Sequence, residues 1–337
     1  MKFGLCSLLG LWIAGTAMGG TISELIDPVT GWVVYSASQG ETTIQIVPSA
    51  GCNVYSIEYQ NQQLLRQPET VKQVAGFRYG VPILYPTPNR VRDSKMTVAG
   101  TTYNFEPNDG NNFLHGLVHS APFKVTNITP QDDRVTIRCQ LDFEPGTPWY
   151  EKFPHRHRLI VDVTVTNSGV RWTYTVENPD GPKAVPYGFG LHPWFLYQGS
   201  RRETFLTVPA IKLMESKAML PTGRLLDLDG TRYDATRPIS LEDFVVDDVY
   251  YGLMPEKPAV INFREAGFEI GLFATANFTH MVVYTPAQEP WFCVENQTCS
   301  TDAHNLYERG LKQESHLLMV ETGSSNTGWV EYRFRSY

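Results

Sequence analysis

Several signatures are missing from this chain of 337 residues. It has no Cys-x-x-Cys pair, which argues against a structural zinc site. It has no Gly-x-Ser-x-Gly, no phosphate-binding loop and no Gly-x-Gly-x-x-Gly opening a helix. Serine-hydrolase and nucleotide chemistry therefore have no foothold. It has no basic stripe. Lys and Arg number 28 against 35 Asp and Glu, a net charge of −7, so a nucleic-acid partner has no electrostatic support. It also lacks a convincing amphipathic helix of three turns. With 42% hydrophobic and 19% charged residues, a packed core is within reach and disorder is not the default.

Long apolar runs are absent except at the start. Lys2 is followed by "FGLCSLLGLWIAGTAMGG", which ends in small residues and predicts a secretory leader over residues 1–19. Ala17 and Gly19 fit a small-x-small cleavage site, so the mature chain would begin near Gly20 and keep no membrane anchor. The run is short for a membrane span. The competing reading is a buried N-terminal helix. Cys6 falls in the leader, leaving Cys52, Cys139, Cys293 and Cys299, an even number in an exported chain. Cys293 and Cys299 are the expected pair by proximity, although four cysteines allow three connectivities. Asn127, Asn277 and Asn296 stand in N-x-S/T sequons. They are read as unused, in a bacterial periplasmic protein.

Strand patterns are plentiful. In "HRLIVDVTV", Leu159, Val161, Val163 and Val165 share one face. After "TNSG", Val170, Trp172, Tyr174 and Val176 alternate with polar residues. Period-two alternation on both sides of Asn-Ser-Gly predicts a half-buried hairpin. "EIGLFATA", "MVVYT", "FCVE" and "WVEYRFR" are further strands, punctuated by Pro and Gly. The expectation is an all-β, antiparallel sandwich or barrel with little helix, in one domain from about residue 20 to 337.

Five stretches could carry chemistry. "YPTPNRVRD" holds Asn89 and Arg90 behind two stiffening prolines. Arg90 there could fork onto hydroxyls, or simply cap a turn. "NFLHGLVH" supplies His115, and Gly116 lets a ligand or another backbone come close. "GFGLHPWF" supplies His192, whose strand Pro193 interrupts. Gly188 and Gly190 would leave one side bare for a ligand, and the aromatic setting could tune the imidazole toward a general acid. "FCVENQTCSTDAHN" supplies Glu295, on the same strand face as Cys293 and opposite Phe292 and Val294. Buried, it would gain a raised pKa suited to a base; at a strand end it would be solvated. "VVDDVYYG" offers Asp247 or Asp248 beside tyrosines, a carboxylate–aromatic arrangement suited to sugars. His155 and His157 share a strand face but lack further ligands, so they read as core or surface residues rather than a metal pair.

Taken in order, Asn-Arg, His-Gly, His-Pro-aromatic, Asp-x-x-aromatic and Glu-x-Gln with "DAHN" resemble the aldose 1-epimerase (galactose mutarotase) family. The similarity runs from about Thr43 to Phe334 and includes "LTVPAIKLMESKAMLPTGRLLDLDGTRYD". The resemblance implies a large antiparallel β-supersandwich. It implies that His192 is the general acid and Glu295 the general base of α/β anomer interconversion of a free hexose. Arg90, His115 and Asp247 would bind the sugar, with no metal or organic cofactor. Asp247 is preferred to Asp248 because Tyr250 stands three residues on. Two features depart from the family pattern: Pro193-Trp194-Phe195 after the second histidine, and Asn296 between Glu295 and Gln297. A non-catalytic carbohydrate-binding sandwich is the alternative. So is a glycosidase or lyase using Asp247 and Glu295 as a carboxylate pair.

Overall fold

The computed structural model describes residues 19–337. The expected leader, apart from Gly19, lies outside the described residues. Among these, no helix is long and apolar enough to cross a membrane.

Three antiparallel sheets carry the structure. The first has five strands in chain order, from Thr21–Ile26 to Gln62–Gln63. The second has nine strands and contains the expected hairpin, with Leu159 opposite Val176, Val161 opposite Tyr174 and Val163 opposite Trp172. Asn167 and Ser168 form its turn. Both apolar rows are buried, while Thr164 and Arg171 pair on the wetter face. The hairpin's second strand, Gly169–Asn178, pairs with the long C-terminal strand Ser324–Ser336, which also receives Phe268–Ala274. The third sheet has eight strands. Asp247–Tyr251, His280–Tyr284, Trp291–Gln297 and the short Gly190–Leu191 lie side by side in it.

One apolar core joins these sheets. It takes Ile44 and Ile46 from the first, Val161 and Trp172 from the second, and Val283, Phe292 and Val294 from the third. Each such side chain contributes roughly 1.5–3 kcal/mol on burial. The core fixes which face of Trp291–Gln297 points inward. Because Phe292 and Val294 are committed to it, Trp291, Cys293 and Glu295 must point the other way.

The Cys293–Cys299 disulfide expected from sequence is not formed. All four described cysteines are free and buried. The reason is geometric. Four strand residues past Cys293 already carry the backbone about 13 Å away, well beyond what a disulfide spans. His155 and His157 sit in the core. Their Nε2 atoms meet Tyr103 Oη at 2.8 Å and Tyr85 Oη at 2.7 Å, which occupies them as hydrogen-bond partners.

Candidate active site

A cavity of about 320 Å³ opens on the outer side of Trp291–Gln297. All five sequence-predicted site residues line it: Arg90, His115, His192, Asp247 and Glu295.

Glu295 forms part of its floor, 2% exposed. Its Oε2 accepts from Gln297 Nε2 at 2.9 Å. Burial pushes its carboxyl pKa well up, and the charge of Asp247 adds to this; the Gln297 bond and Arg90 oppose it.

His192 comes from the turn after Gly190–Leu191, a strand wedged between Ile83–Leu84 and Trp291–Gln297. Its N–H donates to Pro82 O at 3.0 Å, and that of Trp194 to Gly80 O at 2.9 Å, so the backbone around Pro193 is pinned on both sides. The ring stacks on Trp194, 4.8 Å away and tilted 8°, and meets the edge of His115 at 4.9 Å. Its Nε2 lies 3.3 Å from Glu295 Oε1. Burial pushes the imidazole down to about 3. Here the structure corrects the sequence reading. The aromatic setting does not bring His192 into a general acid's range; by excluding water it makes the neutral ring the stable form in the substrate-free site. His192 and Glu295 are neighbours on one floor.

Gly188 and Gly190 are explained differently as well. A Cβ on Gly188 would lie 2.1 Å from Cys299 Sγ and 2.8 Å from Pro88; one on Gly190 would lie 3.0 Å from Gln297 and 3.4 Å from Pro88. The missing side chains make room for the proline loop and the neighbouring strand, not for a ligand.

That loop sets Arg90. Arg90 Nε donates to Asp109 Oδ2 at 2.7 Å and Nη1 to Asn89 Oδ1 at 3.3 Å. The "DAHN" stretch braces it, since Asp302 Oδ1 accepts from the Arg92 N–H and the Asp302 N–H donates to Arg90 O. His115 follows in a left-handed conformation, φ 69°, and its N–H donates to Asn89 O at 2.9 Å. Gly116 lets the chain lie against Tyr85, whose carbonyl oxygen would be 2.3 Å from a Cβ. Its close neighbour is thus backbone. Burial, His192, His119 and Arg90 hold His115 well below its usual range.

Asp247 stands on the wall, paired in register with Tyr284. Burial raises its carboxyl to about 6, against the pull of Arg90. Asp248 points into a different, smaller pocket with Met214 and Ser216, which Asp247 also borders.

Sequence reasoning missed Arg66, Phe77, Arg78, Tyr284, Glu289 and Trp291, which also line the cavity. Trp291 was findable, since it shares the strand alternation of Glu295. It packs against Trp194 at 4.5 Å, with Arg66 over both rings. The two indoles meet edge to face, at 68°, and border the cavity beside its polar groups. Asn296, in contrast, is 1% exposed, so its sequon is closed to a glycan in the folded protein.

The fold and the cleft thus define a β-sandwich protein with a buried imidazole–carboxyl pair at the floor of a polar cavity. The aldose 1-epimerase family model matches residues 34–332, and the chain belongs to that family. Solved structures share the fold at low identity. A galactose mutarotase-like protein from Clostridium acetobutylicum has TM-score 0.82 at 19% identity, covering 94% of this chain and 98% of that one. Galactose 1-epimerase from Lactobacillus acidophilus has 0.76 at 11%, covering 95% and 99%. An aldose epimerase homologue from C. elegans has 0.71 at 16%, covering 89% and 97%.

Proposed function

We propose that this protein interconverts the α and β anomers of a free hexose by opening and reclosing the ring, with His192 and Glu295 as its acid–base pair. The observation that carries this reading is the 3.3 Å approach of His192 Nε2 to Glu295 Oε1 on the floor of a sugar-sized cavity. Ring opening removes a proton from the anomeric hydroxyl and gives one to the ring oxygen. Both oxygens are bonded to one carbon, so the two catalysts must be neighbours, as they are.

The pair needs a single proton to work. With the proton on His192, the carboxylate of Glu295 takes the hydroxyl proton and the imidazolium supplies the ring oxygen. The pair is then left as neutral imidazole and carboxylic acid, the form that burial favours. The C1–C2 bond of the open sugar rotates, and closure on the other face runs the two transfers backwards. Closure restores imidazolium and carboxylate. In the empty site the pair relaxes to its neutral form by direct exchange across the 3.3 Å gap, and the same exchange returns the charged form when the next cyclic sugar binds. Arg90, His115 and Asp247 hold the hydroxyls, and Trp194 and Trp291 border the sugar's apolar side. We propose in addition that the chain is one exported domain whose leader is removed near Gly20; N-terminal sequencing of the native protein checks this.

Polarimetry on freshly dissolved α-glucose and α-galactose tests the reading. The protein should speed the approach to equilibrium, and His192→Ala and Glu295→Gln should not. Equal rates with all three proteins would reject it.

A further inference from the structure

Cys293 has no part in these proton transfers, yet its thiol belongs to the same cluster. One ligand atom each of His192, Cys293 and Glu295 lie within 4.8 Å of one another, and all three residues are buried. The 3.3 Å between Nε2 and Oε1 matches the edge of a zinc tetrahedron, which is about 3.3–3.4 Å for bonds of about 2.0–2.1 Å. A thiolate bound at about 2.3 Å would stand about 3.5 Å from each. The three residues are thus already gathered at close to ligating separations. Imidazole, thiolate and carboxylate are the donors that zinc and its thiophilic relatives take.

The surroundings favour a cation. Asp247 adds negative charge at both Glu295 and Cys293. Gln297 already holds the second oxygen of Glu295 at 2.9 Å, as an orienting partner of a metal ligand would. His192 Nδ1 is buried without a hydrogen-bond partner, so no bond through that nitrogen fixes the ring against a ligating position. Cys293 packs beneath Trp194 and Trp291, while His192 and Glu295 line the cavity, so the ion has a way in from the substrate side.

We propose that His192, Cys293 and Glu295 form a three-ligand site for a thiophilic divalent cation, with the fourth position open to the cavity, and that the ion inhibits the enzyme by occupying both proton-transfer groups. On binding, the Cys293 S–H bond breaks as the metal–sulfur bond forms, and its proton leaves to solvent. Glu295, where protonated, does the same through oxygen. Nothing is oxidised or reduced. Sugar and ion need the same groups, so each weakens the other's binding. The inhibition rests on the mutarotase reading; the binding does not.

The test uses the chelator-treated full-length protein titrated with Cd²⁺, followed by the ultraviolet thiolate-to-cadmium charge-transfer band, and with Zn²⁺ by calorimetry. We expect one ion per chain, with the band present in the wild type and absent in Cys293→Ser. Zn²⁺ affinity should fall on the order of 100-fold in Cys293→Ser and at least about 10-fold in Glu295→Gln. A band that survives in Cys293→Ser, reporting Cys52, Cys139 or Cys299 instead, would overturn the proposal. So would Zn²⁺ affinity unchanged in Glu295→Gln, an arm that decides the matter even if the cysteine variant does not fold. Metal binding without any mutarotation would leave this site standing and remove the functional reading.

Discussion

His192 Nε2 lies 3.3 Å from Glu295 Oε1, and the third sheet is what brings them together. Gly190 pairs directly with Gln297, so the strand end that presents the histidine is stitched to the strand that presents the glutamate. The distance is therefore a property of sheet register rather than of a mobile loop.

The protonation state of His192 follows from its burial. Its folded pKa, about 3, is below the ordinary 6.5. Folded His192 thus binds fewer protons than unfolded His192 between those values. Its contribution to stability is complete above about 6.5 and is lost as pH falls toward about 3. In ¹⁵N NMR spectra of the free protein, the His192 ring should show the shifts of a neutral imidazole at about pH 5.5. Imidazolium shifts at that pH would contradict this.

Asp247 has the opposite sign. Its carboxyl is raised to about 6, so the folded state binds the proton more tightly, and stability is lost as pH rises from about 4 through about 6. The shift is about two units, nominally about 3 kcal/mol and about 2 kcal/mol after discounting its partial exposure to solvent. Asp247→Asn should therefore gain stability relative to wild type by about 2 kcal/mol between pH 4 and pH 8 in urea unfolding, while raising KM about tenfold or more through a lost hydroxyl contact. A pH-independent stability difference would refute the charge assignment.

Gly188 separates packing from binding. A methyl group there meets Cys299 Sγ and Pro88, so Gly188→Ala should cost about 1–3 kcal/mol in stability. Where folded, the variant should keep KM within about twofold, because the clash is with protein. A large KM effect at unchanged stability would restore the reading in which the glycine clears space for sugar.

Thiol titration after unfolding checks the cysteine assignment. Cys52, Cys139, Cys293 and Cys299 should all react without reductant. Two thiols appearing only after reduction would contradict it.

Much of this was legible from residue order. The hairpin from Leu159 to Val176 was readable because each strand is buried on one face only, and that asymmetry writes itself as alternation. The site histidines, Arg90 and Glu295 were reachable because glycines, prolines and family spacing mark them. Arg66, Phe77 and Arg78 carry no such mark. They join the cavity through contacts distant in sequence, such as the Trp194 Nε1 donation to Phe77 O. The glycines near His192 showed where a side chain is missing but not what fills the gap. Cys293 and Cys299 misled because an extended strand separates residues that a turn would have joined.

The most direct test of the paired mechanism is a double-mutant cycle by polarimetry, with His192→Ala, Glu295→Gln and the double variant at saturating sugar. Each single change should lower kcat by about 10²–10⁴-fold, and the double variant should be no worse than the poorer single within about tenfold, because either loss disables the same proton relay. Losses that multiply, or a single variant that keeps the wild-type rate, would show that the two groups do not act as one unit.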